Sequence, residues 1–244
     1  MEPFDVVAAG DGALVLRCSE RIDPDVNAWC VAVASALEQD LGTAQRDVVI
    51  GYCTVTVYFD PVLVDSVWVE DRIHAVAMDV RIEEQSEGGI VDVPVCYGGE
   101  YGPDLADVAA YGRCTADEVV TRHASREYRV YLVGFVPGFA YMAEVDPTIA
   151  APRRPSPRTA VPAGSVAIAG GQTGIYPAVT PGGWNLIGRT LLLPYDPSRR
   201  EPFLFRPGDR VRFHPVAALG MGSDPAVFAP PVSKRVGSDP RADG

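Results

Sequence analysis

The segment VPAGSVAIAGGQTGIYPAVTPGGW, from Val161 to Trp184, holds six of the chain's 24 glycines and no charged side chain. Backbone without Cβ atoms suits two purposes: tight corners between short strands, or the floor of a pocket where N–H groups approach a ligand. The spacing is not that of a G-x-G-x-x-G dinucleotide loop, and both purposes stay open. Around the segment lie short strands, Tyr128 to Val133, Ser165 to Ala169, Asn185 to Thr190 and Arg210 to His214, separated by proline and glycine turns. That pattern points to a closed or nearly closed β-barrel in the second half of the chain.

The first ninety residues have a different character, with strand alternating with helix. Ala13 to Cys18 reads as a strand, and Asp23-Pro24 opens a helix by a side-chain cap with proline in the first turn. Val26, Trp29, Val33, Leu37 and Leu41 recur on one face of that helix, and Gly42 is placed to end it. Val48 to Phe59 is rich in β-branched and aromatic residues, Asp60-Pro61 is expected to cap a second helix through about Val80, and Gly89 to Tyr97 reads as a strand. Trp29 and Trp68, at helical spacing beside valines, are expected in the core. Two short helices follow, Pro103 to Tyr111 and one opened by the capping box Thr115 to Glu118. The expected class is α+β: an N-terminal sheet-and-helix domain over residues 1–88, a barrel domain over 89–216, and a disordered tail over 217–244 in which Gly-Ser-Asp-Pro occurs twice.

Charge narrows the partners. A net charge of −11 argues against nucleic acid and anionic membrane surfaces, leaving a small molecule or another protein. No run of apolar residues is long enough to span a bilayer, and MEPFDVVAAG lacks the pattern of a signal peptide, so a cytoplasmic protein is expected. The five cysteines sit at wide spacings without ligand partners and read as reduced thiols, with no metal site. Lys234 is the only lysine, so a Walker A loop is excluded and any ATP must be held in another way. Ser165 lies outside any G-x-S-x-G elbow.

Within that acidic chain, the stretch from Pro147 to Tyr195 has no Asp or Glu but carries Arg153, Arg154, Arg158 and Arg189. Either these pair with carboxylates of another domain or of a neighbouring protomer, or they form a site for a carboxylate or phosphate, to which a guanidinium fork is suited. Prolines 152, 155, 157 and 162 stiffen the stretch. Arg158, held between Pro157 and Pro162, is expected to face an anion, and Arg153 or Arg154 to pair across a domain boundary. The runs Gly170 to Gly174 and Pro181 to Trp184 are candidate pocket floor, which brings in Gly171, Gln172, Thr173, Tyr176, Gly183 and Trp184. In GFVPGFAYM, Phe135, Phe139 and Tyr141 flank a Pro-Gly turn, where they either stack on a ring or pack into the turn; for Phe135 a buried turn position is expected. His123 shares a helix face with Val119 and Val120, a position suited to packing or to proton transfer. Glu100 and Asp104 stand in a turn leading into a helix, where capping and solvation explain them unless they position a base or a metal-nucleotide.

Taken together, VPVCYGGEYGPDL, the His123 helix, GFVPGFAYM, APRRPSPRTAVPAGSVAIAGGQTGIYP, PGGWNLIGRT and RPGDRVRFHP resemble the 5-oxoprolinase B-subunit family, which also goes by the names allophanate hydrolase subunit 1 and sporulation-kinase inhibitor. The resemblance runs from about residue 10 to 216, with Ala124 and the pair Ala143-Glu144 departing from the usual pattern. It implies an N-terminal α+β domain and a C-terminal cyclophilin-like barrel, with no isomerase activity following from the fold, and a complex with subunits A and C that opens 5-oxo-L-proline to glutamate using ATP. The candidate catalytic residues are then His123 and Arg158, and the candidates for binding substrate or nucleotide are Glu100, Asp104, Phe139, Arg153, Arg154, Gly171, Gln172, Thr173, Tyr176, Gly183 and Trp184. Two other roles fit the same resemblance: a module that docks on a histidine kinase, and a carboxyl-transfer component in urea breakdown, whose biotin would have to arrive on another chain. The chain alone is expected to be silent, with Gly170 to Trp184 covered by a partner.

Overall fold

The computed structural model describes residues 4–18, 22–81 and 88–218. The tail expected to be disordered therefore lies outside the described residues except at 217–218. The chain begins with β1 (Asp5–Ala8), β2 (Ala13–Arg17), α1 (Pro24–Leu41), β3 (Gln45–Ile50), β4 (Thr54–Phe59) and α2 (Ser66–Asp79). The four strands form one antiparallel sheet in the order β1-β2-β4-β3, and alternate residues Leu14, Leu16, Val55, Val57 and Phe59 turn one face toward the helices. α1 starts where expected, because the Asp23 carboxylate accepts the N–H groups of Asp25 and Val26. Its stripe Val26, Trp29, Val33, Leu37 and Leu41 is buried on the sheet.

Two expectations for this region fail for local reasons, and the β-rich stretch between α1 and α2 divides into two strands. Val48 to Phe59 is a hairpin of β3 and β4, because the chain reverses at Gly51, whose N–H donates to the Thr54 carbonyl. Asp60-Pro61 makes a turn, with the Asp60 carbonyl accepting from Leu63 and Val64, and the cap of α2 is Asp65, which accepts from Val67 and Trp68. Trp68 is 44% exposed, since the buried stripe of α2 runs through Val69, Ile73 and Ala77 and leaves the neighbouring position outside.

The rest of the chain supplies β5 (Ile90–Tyr97), α3 (Leu105–Gly112), α4 (Ala116–Ala124), β6 (Glu127–Val133), β7 (Ala140–Ala143), β8 (Arg158–Val161), β9 (Ser165–Ala169), β10 (Gln172–Ile175), β11 (Thr180–Gly182), β12 (Asn185–Arg189) and β13 (Arg210–Pro215). Seven strands close a barrel in the order β10-β7-β6-β13-β5-β12-β9, with β5 and β13 parallel and the other pairs antiparallel. The α+β class and the barrel thus stand. Inside it pack Val91, Val93, Val95, Val130, Met142, Ile168, Ile187, Val211 and Phe213, so the barrel is a solid core. β8 and β11 form a separate two-stranded ribbon.

One buried amide joins sheet and barrel. Asn27 of α1 is fully buried, and its Nδ2 donates to the carbonyls of Gly51, Tyr52 and Tyr131 at 3.3, 3.2 and 3.0 Å, while its Oδ1 accepts from Arg129 Nε at 3.3 Å. Asn27→Ala strips that donor from three carbonyls and is expected to cost about 2–3 kcal/mol. Urea unfolding checks this, and a loss below about 0.5 kcal/mol would show that water replaces the amide.

Candidate functional site

The arginine-rich stretch is organised by one carboxylate. Asp104, 2% exposed, accepts Nη1 of Arg154 at 2.6 Å, both Nη atoms of Arg158 at 2.9 and 2.8 Å, and the Leu186 N–H at 2.7 Å. The Arg154 N–H donates to the Gly183 carbonyl at 2.7 Å. The cluster therefore clamps residues 154–158 and the start of β12 to the turn before α3. Arg189 donates to the Ala163 carbonyl at 2.9 Å.

This reverses the expected roles of the arginines. Arg158 spends its fork on Asp104, and Arg154 shares that carboxylate instead of crossing to the N-terminal sheet. Arg153 is exposed, has no carboxylate partner among the described residues, and lies over the Trp184 ring with its guanidinium carbon 5.9 Å from the centroid.

Beneath Arg153 is a pocket of about 320 Å³. It sits outside the barrel wall, on the side reached by Ala167, Ala169 and Leu186, whereas their neighbours Val166, Ile168 and Ile187 fill the barrel. Its wall is aromatic: Phe139 meets Tyr141, Tyr176 and Trp184 edge to face at centroid distances of 4.8, 5.2 and 5.4 Å, and Phe135 caps it 5.8 Å from Phe139. Phe135 is 62% exposed with φ of 68°, contrary to the buried position expected for it, because the turn aims its ring across the pocket rather than into the core. Gly182 permits the closure, since a Cβ there would stand 2.3 Å from the Tyr176 hydroxyl. Burial raises the Tyr141 and Tyr176 phenols above their ordinary values, while Arg153 pulls both down, so both stay protonated at neutral pH.

Of the residues singled out in the sequence, the pocket gathers Phe135, Phe139, Tyr141, Arg153, Tyr176, Gly183 and Trp184, with Asp104, Arg154 and Arg158 as its support. Gly171 and Gln172 line a different cavity beside Glu144 and Arg126, and Gln172 Nε2 donates to the Tyr52 hydroxyl at 2.5 Å. Glu100 is exposed in the turn.

His123 and Thr173 face the barrel interior. Thr173 Oγ1 donates to the Ala167 carbonyl at 3.0 Å, so it accepts the His123 Nε2–H at 2.8 Å, and His123 Nδ1 accepts the Tyr97 hydroxyl at 2.8 Å. The ring packs 4.6 Å from Phe213 and has no exposed surface. Burial lowers its pKa from the ordinary 6.5 to about 3. The folded chain thus refuses a proton that the unfolded chain accepts. The stability held by neutral His123 is complete above pH 6.5 and drains away toward pH 3, by about 2 kcal/mol between pH 7 and pH 5. Ring NMR should show no titration of His123 above pH 4, and a transition near pH 6.5 would contradict this environment.

Among the described residues no cluster fits a metal ion, and no helix is long and apolar enough to cross a membrane.

Comparison with known proteins gives the family of the chain. Residues 4–205 match the family described as Carboxyltransferase domain, subdomain C and D. The 5-oxoprolinase B subunit of Bacillus subtilis (strain 168) is 39% identical over 224 residues, covering 86% of this chain and 92% of that protein. A crystal structure of TTHA0988 superposes with a TM-score of 0.75 at 39% identity over 84% of this chain, and the chain spans only 40% of TTHA0988. The urea carboxylase of Kluyveromyces lactis, at 19% identity, shares the fold with a TM-score of 0.73 over 88% of this chain and 22% of its own. A family match from residue 4 to 205, joined to 39% identity along nearly all of the Bacillus protein, makes this chain a member of the 5-oxoprolinase B-subunit family.

Proposed function

We propose that this chain is the B subunit of an ATP-dependent 5-oxoprolinase that acts with subunits A and C to open 5-oxo-L-proline to L-glutamate. The observation that carries the reading is the 39% identity to the Bacillus 5-oxoprolinase B subunit over 92% of that protein's length. The chemistry requires more than this chain contains. An unstrained five-membered lactam is a poor electrophile, and ATP supplies the activation by phosphorylating the amide oxygen, releasing ADP; water then adds at that carbon, the C–N bond breaks with the nitrogen taking a proton to leave an acyl phosphate, and a second water hydrolyses that to the carboxylate and free phosphate. With a buried neutral histidine and no metal cluster among the described residues, the chain supplies binding and positioning, while the phosphoryl-transfer groups come from its partners. It is accordingly inactive alone.

Deletion of the gene in its own host tests the reading. 5-Oxoproline should accumulate and growth on it as nitrogen source should fail, with recovery on re-expression. Unchanged 5-oxoproline levels, or a defect in urea use instead, would overturn it in favour of the carboxyl-transfer role that the matched domain family admits.

A further inference from the structure

We infer that the aromatic pocket under Arg153 binds the amino-acid-sized ring carboxylate itself, with Arg153 holding the carboxylate, and that the nucleotide is bound elsewhere in the complex; naming 5-oxoproline as the occupant rests on the proposed function. The cations decide it. Arg154 and Arg158 lie on the same stretch, but both are drawn onto Asp104, Arg154 through one Nη and Arg158 through both, so they anchor the rim rather than face a ligand. Arg153 is the cation in the pocket lining, and it has no carboxylate partner among the described residues. Attraction of a guanidinium to an indole face uses no N–H donor, so the Arg153 fork stays available for a two-point contact with a carboxylate.

The wall below suits the rest of such a molecule. Phe139, Tyr176 and Trp184 present apolar ring edges to a methylene face, no acidic side chain lines the pocket to repel an anion, and the protonated Tyr141 phenol offers a donor for a lactam carbonyl. At about 320 Å³ the space is at the small end of ligand pockets. A nucleotide polyphosphate would need more room, further free cations or a metal, and the described residues provide no metal cluster. Phe135, exposed and held at φ of 68° over the opening, closes the outer side.

The test is calorimetric titration of the full-length chain, alone and assembled with subunits A and C. The probes are 5-oxo-L-proline, the carboxylate-free lactam 2-pyrrolidinone, and a non-hydrolysable ATP analogue. Expected are saturable binding of 5-oxoproline, at least tenfold weaker binding of 2-pyrrolidinone, and no displacement of 5-oxoproline by the ATP analogue. Arg153→Gln, an exposed change that leaves the clamp intact, should weaken 5-oxoproline at least tenfold with an unchanged melting temperature, and Phe135→Ala should weaken it several-fold. Equal binding by Arg153→Gln, equal binding of 2-pyrrolidinone, or competition from the ATP analogue would overturn the assignment. So would absence of any carboxylate binding in the assembled complex, whatever its activity. If 5-oxoproline fails to bind while proline or another amino-acid-sized carboxylate binds in an Arg153-dependent way, the carboxylate site stands and the 5-oxoprolinase reading falls.

Discussion

Asp104→Ala should destabilise the chain by about 3 kcal/mol, lowering its melting temperature by roughly 6–12 °C. The substitution removes one charge but orphans several groups: the forks of Arg154 and Arg158 and the buried N–H of Leu186. Breaking a buried pair by deleting one partner is costly because the remaining charge stays desolvated, and Arg154 Nε is already buried without a hydrogen bond. Both arginine side chains keep 32% and 26% of their exposure, so the lower end of the range for buried pairs applies. The damage should spread to the pocket, since the same cluster ties Gly183 and Leu186, on either side of Trp184. Thermal unfolding checks the size, and a loss under about 1 kcal/mol would mean the cluster does not hold the rim.

Gly102→Ala should cost as much, about 3 kcal/mol at the upper end of overpacking effects. A Cβ on Gly102 would stand 2.1 Å from the Ile187 carbonyl oxygen and 2.6 Å from the Gly98 nitrogen. That oxygen cannot retreat cheaply, because it accepts the Gly98 N–H at 3.0 Å, and the next turn is tied by the Asp104 N–H to the Leu186 carbonyl at 2.9 Å. The contact is backbone against backbone, so no side-chain rotamer relieves it. Gly99 is the control: its added Cβ meets nothing within 4 Å, and with φ of 55° Gly99→Asn should be tolerated within about 1 kcal/mol. If Gly102→Ala melts with the wild type, the turn before α3 is not packed against β12 as described.

What could be read in advance follows the range of the forces. The caps of α1 and α4 and the strand β9 are local matters of one or two turns of chain, and the sequence located them within a residue. The α2 cap was misplaced because Asp60-Pro61 and Asp65 carry the same short-range signal, and only the direction of the following chain separates them. The arginine cluster shows a harder limit. That four arginines without acids needed an explanation was legible, but the pairing partner lies 50 residues back from Arg154, and charge spacing carries no information over that distance. Asp104 looked like a capping or solvated residue, yet it makes no side-chain cap bond and turns inward. Arg153, Arg154 and Arg158 are indistinguishable by type, so which one stays free is decided by tertiary contacts alone. Asn27 was missed altogether, since a lone polar residue on an apolar helix face announces no partner.

The most direct measurement is ATP-dependent glutamate release from 5-oxoproline by subunits A and C with this chain, with Arg153→Gln in its place, and with neither form added. Turnover is expected only when the chain is present, and Arg153→Gln is expected to lower kcat/KM by roughly ten- to a hundred-fold, chiefly through KM, as loss of a charged hydrogen bond predicts. Turnover without this chain, or an Arg153→Gln variant as efficient as wild type, would contradict the account.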